Sequence, residues 1–363
     1  MESSCESFHD VSGQTVGDIG AAINRWGADI AINLDGWTSM GRTNEVFAIT
    51  PAPSQVQYMG FPGTFGASFV PYLATDIVIS PPELSPSYTE KLLLLPTYYI
   101  NDYANQFPND PPKQARSGRA TSEARGRLGL PTLDGPVFVN LNNLYKVSPD
   151  MFKMWLSIIR SSPANATLSV LSLPSDAVKH LVSRAPPPPS PPLSFLDYVP
   201  KRQHMIRAAA ATAFFDTLLV NAHTTAMDVA WACLPSVTLA HERFAARVGA
   251  SILGALGCSH TLARTKEDYH DIGVKLARST RAGARVRECL ETARSSTRPA
   301  KMWDTKRWVG EWEIAMKMLS DVRASGNMAV TADTASVTPE GSGVEAREHL
   351  RVAGHHIAVR RVK

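Results

Sequence analysis

The sequence predicts an α/β protein built on parallel sheets in two lobes, the first of them incomplete. Short apolar segments alternate with segments of helical spacing along most of the chain, the pattern of strand–helix–strand crossovers. A length of 363 residues with 44% hydrophobic content suits two ordinary domains with buried cores. The first long strand candidate, at Asp29, lies close to the start. A first lobe of the dinucleotide type, with about six strands, then has room only for its later ones.

In order, residues 8–12 read as a short strand. Ile19, Ala22, Ile23 and Trp26 recur at helical spacing and predict a helix over 16–26. Residues 29–34 form a buried strand running into the turn Asp35-Gly36-Trp37-Thr38. A helix over 42–49 is stopped by Pro51. Residues 56–59, 72–76 and 91–95 supply further strands, with a glycine-rich turn at 60–66. Residues 1–108 are expected to form the partial first lobe. Residues 109–130 contain Asp110-Pro111-Pro112, Arg116, Arg119, Arg125 and Arg127 and read as a basic linker, a solvated hinge.

The second lobe, 131–324, opens on the strand Val137-Phe138-Val139-Asn140. The helix 149–160 has Pro149 in its first turn and Met151, Met154, Trp155 and Ile158 on one face. A strand over 167–173, a proline-rich loop at 186–192 and a strand end at 196–199 follow. Residues 203–211 are helix, 213–216 strand, 226–232 helix and 236–239 strand. Helices over 245–256, 267–277, 281–293 and 303–319 complete the lobe, the last with Trp308, Trp312 and Met316 on one stripe. Residues 325–363 are rich in Gly, Ser, Thr, Ala and Glu, end in basic residues, and are expected to be disordered.

The net charge of +4 is modest and its basic residues are scattered, so no nucleic-acid partner is implied. No apolar run approaches the ~20 residues of a spanning helix, so no membrane is expected either. The four cysteines show no CxxC pairing. Cys233 and Cys258 lie in apolar segments, which suggests buried reduced thiols and a cytoplasmic or nuclear location.

Chemistry concentrates after the strand at 213–216. There the polar corner His223-Thr224-Thr225 immediately precedes a helix. First-turn N–H groups lack partners and carry partial positive charge, so an imidazole and two hydroxyls beside them suit a diphosphate. The plainer alternative is a helix N-cap by either threonine. Lys146 lies just after the strand at 137–140, where the carboxyl ends of strands face a ligand crevice. His204 and Arg207 stand at i and i+3 on one helical face, and planar cations of this kind suit a pyrimidine base.

Asn221-x-His223-Thr224-Thr225-x-Met227-Asp228 resembles the nucleotide-diphosphate loop of the protein O-GlcNAc transferases, the animal enzyme and its plant relatives. Asn143-Leu144-Tyr145-Lys146, Pro200-Lys201-x-x-His204-x-x-Arg207, Pro51-Ala52-Pro53, Gly60-Phe61-Pro62-Gly63-Thr64 and Phe107-Pro108 occur in that family's order. The resemblance covers roughly residues 8 to 320. It implies a GT-B-type glycosyltransferase fold of two Rossmann-like lobes. It implies inverting transfer of N-acetylglucosamine from UDP-GlcNAc to Ser or Thr of protein substrates.

Residue by residue, it assigns Lys146 to the leaving diphosphate, with Asn143 where the family has a glutamine. Val199, Pro200 and Lys201, with His204, Met205, Ile206 and Arg207, would line the uridine site. His223, Thr224 and Thr225 would hold the diphosphate, Asp228 the ribose hydroxyls, and Gly60, Pro62 and Thr64 the sugar pocket. No Asp-x-Asp motif occurs, so no metal or other cofactor is expected; the developing charge falls to Lys146 and helix N-termini. The resemblance also sends the last helix across the first lobe, and places the family's catalytic histidine and repeat array upstream of Met1.

The chain departs from the family where Ala222 and Ala226 replace glycines and Leu218 a proline. A β-carbon at Ala222 would cost about 1–2 kcal/mol if the backbone there were left-handed. Two other readings stay open: an inactive relative that binds UDP weakly, and a GDP-fucose protein O-fucosyltransferase.

Overall fold

The structure, a computed structural model, describes residues 7–38, 42–118, 120–184, 193–295 and 299–325, and the backbone of His349–Ala353 and His356–Arg360. The chain divides into two compact units, residues 1–98 with 309–363, and residues 99–308. The expected α/β class is what both units have, with a parallel sheet in unit 2 and a sheet in unit 1 that is parallel except for one terminal hairpin.

In unit 1, α1 (Val16–Arg25) starts at Thr15, whose side chain accepts from the N–H of Asp18. This is an N-cap with an acidic first turn, both favourable at a helix start. β1 (Ile30–Asn33), β2 (Ser54–Gln57), β3 (Tyr72–Asp76) and β4 (Lys91–Leu95) pair in chain order, all parallel. α2 (Arg42–Ala48) makes the first crossover. β2 and β3 are buried along their whole length, as central parallel strands are. Residues 8–12 form no strand, and β1 is paired on one side, with β2.

Unit 2 begins with three short helices, α3 (Tyr103–Gln106), α4 (Lys113–Arg116) and α5 (Ser122–Arg127). Two of them fall in 109–130, the segment read as a linker. Two of its arginines are used internally: Arg116 pairs with Glu291, and Arg125 donates to the carbonyl of Gly135 at 2.9 Å. Six parallel strands follow, β5 (Val137–Asn140), β6 (Thr167–Leu171), β7 (Leu193–Leu196), β8 (Ala213–Phe215), β9 (Ser236–Leu239) and β10 (Leu262–Ala263). They lie in the order β10-β9-β8-β5-β6-β7.

The helices of unit 2 are α6 (Pro149–Arg160), α7 (Ser175–Arg184), α8 (Lys201–Ala210), α9 (Thr224–Trp231), α10 (Val248–Ala255), α11 (Lys266–Arg278) and α12 (Thr280–Ala293). The core gathers Phe138, Trp155, Phe215 and Tyr269 with the apolar face of α6. Phe138 and Phe215 stack at 4.5 Å between ring centroids.

Several sequence expectations are corrected. α7 and the short β10 were not foreseen, and β7 is Leu193–Leu196 rather than 196–199. The proline-rich run 186–192 lies outside the described residues. Cys258 is not a free thiol: it forms a disulfide with Cys289 of α12, while Cys233 stays reduced and buried. The pairing joins residues distant in sequence, and only the packing of α12 beside the end of α10 brings them together.

α13 (Thr305–Ala324) is the last long helix. Within unit 1, Trp312 packs on Tyr58 at 4.7 Å, and Ala315 and Leu319 are fully buried. The tail 325–363 is not wholly irregular. His349–Ala353 and His356–Arg360 form an antiparallel hairpin whose second strand pairs parallel with β4. The second strand carries the apolar run Ile357-Ala358-Val359, and β4 would otherwise have an open edge. Among the described residues, no helix is long and apolar enough to cross a membrane.

Candidate functional site

Read from β7, the unit 2 sheet runs third, second, first, fourth, fifth, sixth in chain order. Such a sheet reverses its winding between its first and fourth strands, here β5 and β8. Ligands lie outside the carboxyl ends of the strands at that point. The segments leaving β5 and β8 carry Lys146 and the His223 corner.

After β5, a 3-10 turn (Leu144–Lys146) begins at Asn143, whose carbonyl accepts from the Lys146 N–H at 3.1 Å. Asn143 contributes backbone here, with no side-chain cap bond. The turn aims the Lys146 ammonium at the carbonyl of Asn221, 3.0 Å away. Burial lowers the Lys146 pKa, and the charge of Asp216 opposes that shift. The ammonium therefore stands beside the loop that leads into His223, Thr224 and Thr225.

After β8, the buried Asp216 gathers the loop 217–222. It accepts from the N–H groups of Thr217 and Ala222 at 2.8 and 2.6 Å and from the Thr238 hydroxyl at 2.7 Å. Ala222 is fully buried and is not among the residues with positive φ, so its β-carbon meets no left-handed strain. His223 sits at the N-cap of α9 without capping it by its side chain. Its Nε2 faces the carbonyl of Ala245 at 3.1 Å and must donate the proton. Burial holds its pKa down at about 4, so the ring is neutral near pH 7. The first turn of α9 contains no acidic residue. Its N–H groups and the Thr224 and Thr225 hydroxyls form a donor-rich helix start of the kind that binds anions.

Two tyrosines that the sequence reading missed complete this corner. The Tyr99 hydroxyl is 2.6 Å from Thr224 Oγ1, and Tyr103 donates to Asp228 Oδ1. Each bond spans 125 residues of chain, so no local pattern could have signalled it.

Asp228, one turn into α9, is 5% exposed. Lys201 pairs with it at 2.5 Å, and His204 Nε2 lies 3.6 Å from its other oxygen. Burial lowers the His204 pKa, leaving a neutral ring. The Lys201 ammonium also lies over the Tyr103 ring, 5.1 Å from its centroid. Asp228, assigned to the ribose hydroxyls, and Lys201, assigned to the uridine site, are thus one ion pair.

The remaining uridine-site expectations divide. Val199 and Ile206 are half-buried and Pro200, the N-cap of α8, is exposed. Met205 is fully buried and packs in the core. The Arg207 guanidinium donates to the carbonyls of Leu128 at 2.8 Å and Asp197 at 2.7 Å. It fastens α8 to its neighbours rather than facing outward beside His204.

Gly60, Pro62 and Thr64 lie in unit 1. A β-carbon on Gly60 would stand 2.0 Å from the Leu34 carbonyl, so glycine is required by the chain's own packing. Thr64 donates to Glu90 Oε2 at 2.9 Å, which fixes the turn. Among the described residues, no group of three or more His, Cys, Asp or Glu side chains could hold a metal ion.

A profile described as glycosyl transferase family 41 matches residues 1–116 and 113–311. A probable UDP-N-acetylglucosamine–peptide N-acetylglucosaminyltransferase SEC of Arabidopsis thaliana is 35% identical over 332 residues, covering 90% of this chain and 32% of its own. A UDP-N-acetylglucosamine–peptide N-acetylglucosaminyltransferase of Caenorhabditis elegans is 26% identical over 419 residues, covering 87% of this chain and 36% of its own. Among solved structures, an O-GlcNAc transferase mutant of Thermobaculum terrenum matches with a TM-score of 0.74 at 25% identity, over 90% of this chain and 59% of that one. The chain spans about a third of the length of the curated relatives it matches.

Proposed function

The chain belongs to glycosyl transferase family 41, and from that premise we propose that it acts in metal-independent, inverting transfer of N-acetylglucosamine from UDP-GlcNAc to Ser or Thr of protein substrates. Unit 2 is the nucleotide-binding half of a GT-B-type enzyme. One observation carries this reading. The Lys146 ammonium rests on the Asn221 carbonyl, two residues before a helix start that no side chain caps. A cation and a row of free N–H groups converging at a sheet switch point suit a departing nucleoside diphosphate.

On this reading, the diphosphate takes the first turn of α9 with Thr224, Thr225 and His223. Asp228 and Lys201 exchange their mutual ion pair for ribose hydroxyls, and the α8 start from Val199 to His204 flanks the base.

Calorimetric titration of UDP and GDP, with a peptide transfer assay from UDP-GlcNAc, tests the proposal. UDP should bind in preference to GDP, Lys146→Met should weaken it strongly, and transfer should survive a chelator. UDP binding that ignores Lys146→Met would overturn the site. Preference for GDP would turn the reading to fucosyl transfer. UDP binding without transfer would leave a nucleotide-binding relative that is not an enzyme.

A further inference from the structure

Asp216 is an enclosed ionisable group beside the Lys146 corner, 1% exposed just after β8. Oδ1 takes the N–H groups that open and close the loop 217–222, with the Asn142 amide 3.5 Å away. Oδ2 takes the Thr238 hydroxyl of β9. Gly249 of α10 makes the space, since a β-carbon there would stand 2.8 Å from Oδ2. The loop itself is braced by Asn221, which donates to the Thr217 carbonyl at 2.7 Å and accepts from the Gly249 N–H at 3.1 Å.

Stitching a loop does not require a charge. A neutral amide could accept the same two N–H bonds, and an ionised carboxylate in a buried place is costly. Burial accordingly pushes the Asp216 pKa up to about 6 in spite of its donors. The charge acts on the cation of Lys146, held by a carbonyl of the very loop that Asp216 folds. Of the titratable groups around this corner, His223, its pKa lowered to about 4, Tyr269, whose hydroxyl donates to the Asp216 carbonyl at 2.9 Å, and Tyr99 and Tyr103, their pKa values raised by burial, are neutral near pH 7, while Asp228 on α9 is paired with Lys201.

We propose that Asp216 is a positioning residue for the nucleotide site: it folds the 217–222 loop so that Asn221 receives Lys146, and its charge keeps that ammonium protonated for an incoming diphosphate. The diphosphate part rests on the reading of unit 2 given above; the action on Lys146 does not.

Asp216→Asn separates shape from charge. Its oxygen can still accept from Thr217 and Ala222, and its NH2 can donate to Thr238. The Lys146 titration is followed by NMR of carbon-13-labelled lysine in the ligand-free protein, its signal identified by its loss in Lys146→Met. UDP affinity is measured by calorimetry over the same pH range.

Without the Asp216 charge, Lys146 should titrate about one pH unit lower, and at pH values between the two midpoints UDP affinity should fall up to about tenfold. An unchanged Lys146 titration overturns the proposal, and a pH-independent loss of affinity beside it marks Asp216 as merely structural. A lysine that shifts as expected in a protein that never binds UDP leaves Asp216 acting on Lys146 and removes the nucleotide reading instead. Should Asp216→Asn fail to fold, the wild type gives the same test. Protonating Asp216 near pH 6 should move the Lys146 signal with that midpoint, and a flat signal there overturns the proposal.

Discussion

Lys146 carries its charge in a half-buried setting, where a hydrogen bond from a cation to an anion is worth more than in water. Lys146→Met should therefore weaken UDP by about 1.5–3 kcal/mol, roughly tenfold to a hundredfold, in calorimetry near pH 7. Its lowered pKa also sets a sign: the charge is lost as pH rises through the folded value. Binding should fail on the alkaline side earlier than an ordinary lysine would allow.

His223 and Asp216 pull stability in opposite directions. The folded His223 pKa, about 4 against 6.5, gives stability that is complete above pH 6.5 and lost as pH falls towards 4. That is worth about 2 kcal/mol after allowing for the ring's partial exposure. The raised Asp216 pKa, about 6, does the reverse, adding about 3 kcal/mol as pH falls through 6 towards 3.8. The two offset one another in the wild type. Urea unfolding of His223→Gln between pH 7 and about 4.5 should show stability rising relative to the wild type as pH falls; parallel curves would remove the effect.

Lys146, His223 and Thr224 could be singled out in the sequence because few residue types can neutralise a diphosphate and these stand in short motifs. Tyr99 and Tyr103 were not, because their partners lie far along the chain. Arg207 was misread for a related reason: spacing on a helix shows which residues share a face, and tertiary packing decides whether that face meets solvent.

At the scale of elements, α12 shows how a polar residue can organise packing. Arg287 is 8% exposed and donates to the carbonyls of Arg116, Ala209, Cys233 and Ala211. One side chain thus joins α4, the end of α8, the approach to β8 and the end of α9. Arg287→Met should cost about 3 kcal/mol in urea unfolding, because the carbonyls would be left buried without donors. A loss within about 0.5 kcal/mol, the range of ordinary surface substitutions, would show that water replaces the guanidinium.

This role was invisible in the sequence, where Arg287 reads as one more basic residue on an amphipathic helix. The strands were far more legible. Tyr72–Asp76, Lys91–Leu95 and Val137–Asn140 are short, apolar and bounded by turn residues, so periodicity and length agree. α7 is hidden by the prolines that follow it, although Ala177, Val178 and Leu181 sit at helical spacing and pack on the core.

At the scale of the whole molecule, the expected α/β class and its parallel sheets followed from alternation alone. The winding of the second sheet did not, since strand order depends on which edge each crossover returns to. The first sheet finds part of its edge at the far end of the chain: the strand His356–Arg360 aligns with Leu92, Leu93 and Leu94 of β4. Composition hid this, because the surrounding residues resemble those of unstructured tails.

The hairpin bears on how the protein can be shortened. Ending the chain after Ala324 removes no residue assigned to the nucleotide, yet strips the hydrogen-bonding partner from a strand that reads Lys-Leu-Leu-Leu-Leu. Such a bared ribbon is a template for recruiting another polypeptide. The shortened protein should accumulate as multimers by light scattering at concentrations where the full-length chain stays monodisperse. Matching scattering from the two would mean that β4 needs no guard.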